Sequence, residues 1–222
     1  MTTMTPNLER AATAAIETLI KYRISTAPVI PLPILKSIPG VIVVSFTEMA
    51  DRIGLDRASL VSTFNAENRD VITSVREENG KLRYVVAYNQ RLPFYMLQRS
   101  LARELGHIVL GHDGSRPEAV RQEEALCFAR HLLCPRPLIA DIESAGIPIT
   151  IELLGSITGC YERCLIGIRK TPGVRVPAEL NRQVREQFAD YVNNFIDCQS
   201  ILTSEDESAP VDFGTFMDNY SE

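Results

Sequence analysis

The run from Pro93 to His112 constrains the fold more than any other stretch. Leu97, Leu101, Leu105 and Ile108 recur at three- and four-residue spacing, Pro93 suits the first helical position, and Gly111 and Gly114 end the pattern. That spacing predicts one amphipathic helix. Its polar side carries Arg103, Glu104 and His107. Arg103 and His107, four apart, are neighbours on one face, with Glu104 about 100° round from Arg103. Such a helix must lay its stripe on other apolar surface, and the chain has it: 45% of its 222 residues are hydrophobic and 23% charged. That length suits one ordinary domain with appendages, or two small ones.

Upstream, Asn7 can cap a helix from Leu8 to about Arg23, with Leu8, Ala12, Ala15 and Leu19 on one face. Pro28, Pro31 and Pro33 predict an extended crossing, followed by a short helix around Leu35. Val41 to Phe46 reads as a buried strand, and Ser45 with Glu48 as the capping box of a helix through Ile53. A second short helix is expected from Arg57 to Phe64. Asp70–Val75 and Lys81–Tyr88 read as two strands of a hairpin containing Asn79-Gly80, with a connection longer than two residues.

Downstream, Ser115 and Pro117 start a helix that Pro135 and Pro137 stop, with Ala125, Phe128, Ala129 and Leu132 on its apolar face. A short helix over Leu138–Ser144 follows. Thr150 caps another to about Ile157, and after Thr158-Gly159 helix resumes from Cys160 to Lys170, a helix-turn-helix shape. Pro177 opens a long amphipathic helix carrying Leu180, Val184, Phe188, Tyr191 and Phe195. The chain divides into a first domain over 1–135, a helical extension over 136–202, and an acidic tail over 203–222 whose composition suits disorder.

Charge and cysteines narrow the classes further. Six of the 28 acids lie in residues 203–222, which hold no Lys or Arg, so the remainder is close to neutral. No global basic field argues for nucleic acid, and direct nucleic-acid binding is not expected. No apolar run of about 18 residues exists, so no membrane association is expected. The N-terminus is polar without a basic-then-apolar signal pattern, so a cytoplasmic protein is expected. The five cysteines form no C-x-x-C pair and read as reduced, packed thiols.

The Arg103-Glu104-Leu105-Gly106-His107 string has the layout of the H-E-x-x-H helix, in which two His hold zinc and the Glu is a general base. With Gln98 to His112 around it, and Glu123-Glu124-Ala125-Leu126-Cys127-Phe128-Ala129-Arg130-His131-Leu132-Leu133-Cys134-Pro135 after it, the chain resembles the ImmA/IrrE metallopeptidases. The family's motif helix commonly reads Phe-Thr-Leu-Ala-His-Glu-Leu-Gly-His. Its next helix is similar in its paired acids before Ala, its Phe-Ala and its Leu-Leu-x-Pro. The resemblance spans roughly residues 8–170 and implies an α+β, zincin-like domain: a small mixed sheet packed on the motif helix, then a helical extension.

What the resemblance implies about chemistry meets two departures. Zinc would take the two motif His and a Glu on the following helix, leaving one position for water. His107 matches the second His and Glu104 the base, but Arg103 stands at the first His position. A guanidinium stays protonated and has no lone pair to give. Zn²⁺ within about 4 Å of it would be repelled by several kcal/mol at an effective dielectric near 20. Counting back from Leu132-Leu133-x-Pro135, the ligand Glu falls on Gln122, with Glu123 and Glu124 one and two residues away.

Two functions are therefore carried forward. The first is a metallopeptidase-fold protein acting on a repressor-type partner, as in phage and mobile-element regulation, with zinc catalysis impaired or absent. In it Arg103 stands in for the cation and bridges Glu104 with Glu123 or Glu124. The second is an active zinc endopeptidase cleaving a helix-turn-helix repressor, with Glu104 as base and His107 with Glu123 or Glu124 as ligands. A third and weaker reading makes residues 150–170 a DNA-contacting module. Zinc is the cofactor if the enzyme is active, and none is expected otherwise.

Overall fold

The computed structural model describes residues 5–56, 58–59, 62, 70–160 and 174–205. Helix α1 (Leu8–Lys21) starts where Asn7 Oδ1 accepts the Arg10 N–H at 2.9 Å. Helix α2 (Pro31–Ser37) takes Pro31 and Pro33 into its first turn, where an extended crossing was expected. First-turn N–H groups have no partner within the helix, so prolines there cost nothing in hydrogen bonds. Strand β1 (Val41–Ser45) runs directly into α3 (Phe46–Ile53), with the full Ser45/Glu48 capping box in place.

Strands β2 (Val71–Glu78) and β3 (Lys81–Tyr88) form a hairpin on a two-residue Asn79-Gly80 turn, tighter than the sequence suggested. Both turn residues have positive φ (52° and 70°), the geometry whose twist matches antiparallel strands. The ladder therefore runs on through Arg76, Glu77 and Glu78, a polar overhang that period-two patterning does not reveal. The sheet order is β1-β3-β2, with β1 parallel to β3 and β2 antiparallel to it. The small mixed sheet and α+β class agree with expectation. Strand β1 is an edge and is only part-buried, with Ile42 52% exposed, so its unbroken apolar run overstates its burial.

Helix α4 (Phe94–Val109) lies against β2 and β3, and α5 (Glu118–Leu133) packs along it. Gly106 makes the close approach possible: a Cβ there would sit 3.0 Å from Phe128 Cδ1 and 3.1 Å from its Cβ and Cγ. Pro93 and Pro117 are the N-caps of α4 and α5 and not their first residues. Helices α6 (Arg136–Ser144) and α7 (Ile151–Thr158) follow, the second capped by Thr150 as expected. Helix α8 (Ala178–Glu205) crosses back over α1 and α6. One core cluster takes in Leu19, Leu101, Leu105, Phe128, Leu132, Ile142, Val184 and Phe188, so the helical extension shares the core of the first domain. A smaller cluster of Val44, Phe46, Ala50, Ile72 and Ala87 holds α3 to the other sheet face.

No described helix is long and apolar enough to cross a membrane. The expected helix over Arg57–Phe64, the Cys160–Lys170 half of the helix-turn-helix shape and residues 206–222 of the tail lie largely or wholly outside the described residues.

Candidate functional site

A cleft of about 470 Å³ opens where the polar face of α4 meets β2 and the start of α5. Arg99, Ser100, Arg103, Glu104 and His107 line it from α4. Asp70, Val71, Thr73, Val75 and Tyr84 line it from the sheet, and Glu118, Arg121 and Gln122 from α5. The heptad-like stripe that buries Leu101 and Leu105 dictates this arrangement, because it turns the opposite side of α4 outward.

Arg103 folds back on its neighbour: Nη2 donates to Glu104 Oε1 at 2.8 Å and Nε to the same oxygen at 3.2 Å. The cation and the expected base are thus paired with each other. The bridge from Arg103 to α5 expected from sequence is not made. Glu124 is held instead by Arg116, whose Nη1 donates to Oε1 at 2.8 Å and Oε2 at 2.7 Å, and by the Asn7 backbone N–H at 2.7 Å. Its remaining partner is His112 Nε2, 3.0 Å from Oε2. Glu123 is exposed and outside the cleft lining, whereas Gln122 faces into it.

His112 in turn reaches His107, Nδ1 to Nδ1, at 2.8 Å. Gly111 (φ 67°) lets the chain reverse after α4, and the His112 N–H closes on the His107 carbonyl at 2.9 Å. One continuous chain of hydrogen bonds therefore runs His107–His112–Glu124–Arg116. Burial pushes the Glu124 pKa up, but the Asn7 N–H, His112 and Arg116 outweigh it and hold the carboxyl below its ordinary range. Glu124 is then ionised at neutral pH, His112 Nε2–H donates to it, and His112 Nδ1 accepts the proton of His107 Nδ1. That assignment leaves His107 Nε2 as a lone pair, with no hydrogen-bond partner among the described residues.

Both rings stay neutral in the fold. Burial lowers the His107 pKa, with His112, Arg103 and Arg121 adding to it against Glu104. Burial also lowers His112, against the pull of Glu124. His131 is the third buried ring: its Nδ1–H donates to the Cys127 carbonyl at 2.9 Å and its pKa is lowered by burial. Uncharged, it is no electrostatic partner for the C-terminal end of α5. Cys127 is pushed up to about 11 by burial, so it stays a thiol near neutrality and offers no thiolate to a metal.

A pH dependence follows from these shifts. Each histidine has a folded pKa below its ordinary 6.5, so the unfolded chain binds more protons as the pH falls through that value. Their contribution to stability is complete above 6.5 and is lost on acidification. Glu124 adds a second loss as the pH falls below its ordinary 4.5. Urea midpoints are expected to hold steady from pH 8 to 7, decline below 6.5 and fall more steeply below 4.5. A midpoint that rises between pH 7 and 5 would contradict the neutral histidines.

Tested against zinc, the donor set does not fit. Of the three ligand positions that the resemblance implies, one is a guanidinium already paired 2.8 Å from Glu104, and one is the neutral amide Gln122. Glu124, 1% exposed, has its oxygens committed to Asn7, His112 and Arg116. Among the described residues no group of three or more His, Cys, Asp or Glu is arranged to hold a metal ion.

Neither Arg116 nor the hydrogen bonds of His112 to His107 and Glu124 were anticipated from the sequence. Their signal was present but faint: a His just past the glycine that ends α4, and an Arg eight residues before Glu124. No protein-family model, curated protein or solved structure matches the chain.

Proposed function

We propose that this chain is a metallopeptidase-fold protein, resembling ImmA/IrrE proteins, that engages a repressor-type protein partner through the α4 cleft without normal zinc catalysis. The observation that carries this reading is the Arg103–Glu104 pair. The residue that would have to ligate metal is a cation, and it holds the residue that would have to deprotonate water. The cleft itself is retained, polar and open between α4, the sheet and α5. Within it His107 is fixed by His112, a buttress that needs no metal.

The test restores the two departed positions together. Full-length protein is expected to purify with no stoichiometric zinc and to show no chelator-sensitive proteolysis. The double variant Arg103→His, Gln122→Glu presents two imidazoles and a carboxylate along the cleft and is expected to take up about one zinc per chain. Elemental analysis reads both proteins. One equivalent of tightly bound zinc in the unaltered chain, lost in His107→Ala, would favour the active endopeptidase with Glu104 as base. The partner claim is tested separately, by co-elution with any helix-turn-helix repressor that a gene neighbouring this chain's own encodes.

A further inference from the structure

The walls of the α4 cleft carry three arginines, and their partners differ. Arg103 is spent on Glu104 through Nε and Nη2 toward one oxygen, which leaves Nη1 uncommitted. Arg121 donates Nε–H to the Arg116 carbonyl at 3.0 Å, an anchor that fixes the side chain while leaving its terminal amino groups free of any ion pair among the described residues. Arg99 likewise makes no ion pair there. Arg103 and Arg121 both bear on His107, against Glu104, so two guanidinium groups reach the floor of the cleft.

The lining as a whole is balanced: Arg99, Arg103 and Arg121 against Asp70, Glu104 and Glu118. A polyanion would meet three carboxylates as well as three guanidinium groups. A single negative charge set over His107 would meet two cations and one anion. The wall beside it is apolar in part, with Val71 and Val75, and holds two hydroxyls, Thr73 Oγ1 and Tyr84 Oη, buried without a hydrogen-bond partner among the described residues. Buried donors left unpaired cost stability, and an acceptor brought into the cleft would satisfy them. The cleft's 470 Å³ holds a few side chains, not a domain.

We propose that this cleft is a receptor for one carboxylate borne on a short apolar peptide segment, seated over His107 and held by Arg103 and Arg121. The proposal rests on the protein-partner reading above and names the part of the partner that enters. Arginine forks match a carboxylate in shape as well as charge. Such a carboxylate would compete with Glu104 for Arg103, so binding loosens the pair that closes the floor.

The experiment titrates full-length protein with acetyl-Val-Glu-Val-amide, its Gln counterpart and inorganic phosphate, following the His107 Cε1–H resonance and heat of binding. The Glu peptide is expected to bind about tenfold tighter than the Gln peptide and to weaken with added salt. Arg121→Gln and Arg103→Gln, checked for folding by circular dichroism, are each expected to weaken it about tenfold. Tyr84→Phe is expected to weaken both peptides alike, through the hydroxyl. Equal affinity for the Glu and Gln peptides, tighter binding of phosphate than of the peptide, no binding, or indifference to Arg121→Gln would each overturn the proposal. None of these outcomes touches zinc content, so the metal-free reading stands or falls independently.

Discussion

Replacing Glu124 by alanine is expected to cost about 3–5 kcal/mol of unfolding free energy, as removal of one member of a buried charged network does. Three donors converge on that carboxylate: the Asn7 N–H, His112 Nε2 and Arg116 Nη1. Deleting it strands all three. The His112 ring loses its partner where water is excluded, the Asn7 amide loses its acceptor at the rim of that region, and Arg116 keeps a charge with nothing opposite it. For a chain of this length the loss corresponds to a drop of roughly 6–20 °C in Tm, readable by scanning calorimetry. Glu124→Gln keeps the shape and an acceptor oxygen and should cost clearly less. If Glu124→Ala lost under about 1 kcal/mol, the carboxylate would not be holding α1, the α4 terminus and α5 together.

The second large effect lies at the crossing of α4 and α5. Phe128→Ala is expected to cost about 3–5 kcal/mol, since the ring is wholly buried against Gly106 and α5 has no other aromatic side chain to close the gap. Gly106→Ala works from the opposite side. Its methyl would stand 3.0–3.1 Å from three Phe128 carbons, and overpacking of that kind costs about 1–3 kcal/mol, less the roughly 1 kcal/mol by which Ala favours a helix over Gly. The two changes are not independent. Once Phe128 is Ala, the contacts with Cδ1 and Cγ are gone and only the Cβ contact at 3.1 Å remains, so Gly106→Ala should cost clearly less than in the unaltered chain. A double-mutant cycle on Tm or urea midpoint measures that coupling. Additive losses would show that the close approach at Gly106 does not set the interhelical spacing.

Much of the scaffold was legible because period and punctuation agree there. The stripe Leu97, Leu101, Leu105, Ile108 gave α4; Ser45 with Glu48 gave a cap before a helix; Asn79-Gly80 gave a hairpin. Errors arose where a local rule met a positional exception. Proline opposes helix in general, yet Pro31 and Pro33 sit where helical N–H groups are unpaired anyway. Val41–Val44 looks like a buried strand, yet it lies at the sheet edge, and edge position is a property of topology that apolar runs do not encode.

The candidate site was legible along α4 and illegible across it. Arg103, Glu104, His107 and Gln122 all face the cleft, because helical spacing fixes which residues share a side. The partner of each was another matter. Arg103 pairs with its immediate neighbour and Glu124 with Arg116 and His112, contacts set by loop geometry after Gly111 and by the approach of α1. Burial then decides the protonation of His107, His112 and His131, and burial of a single side chain is not a property of its own letter.

The long C-terminal helix has a consequence for how the molecule is made. Gln187 on α8 donates its amide to the carbonyls of Leu19, at 2.9 Å, and Ile24, where α1 ends, while Val184 and Phe188 are wholly buried in the same core. A helix more than 160 residues downstream thus completes α1. Until residues near 187 dock, α1 has one side open and its terminal carbonyls answered only by water. Because Asn7 at the other end of α1 secures Glu124, the cleft residues are held in register only once α8 has docked on α1.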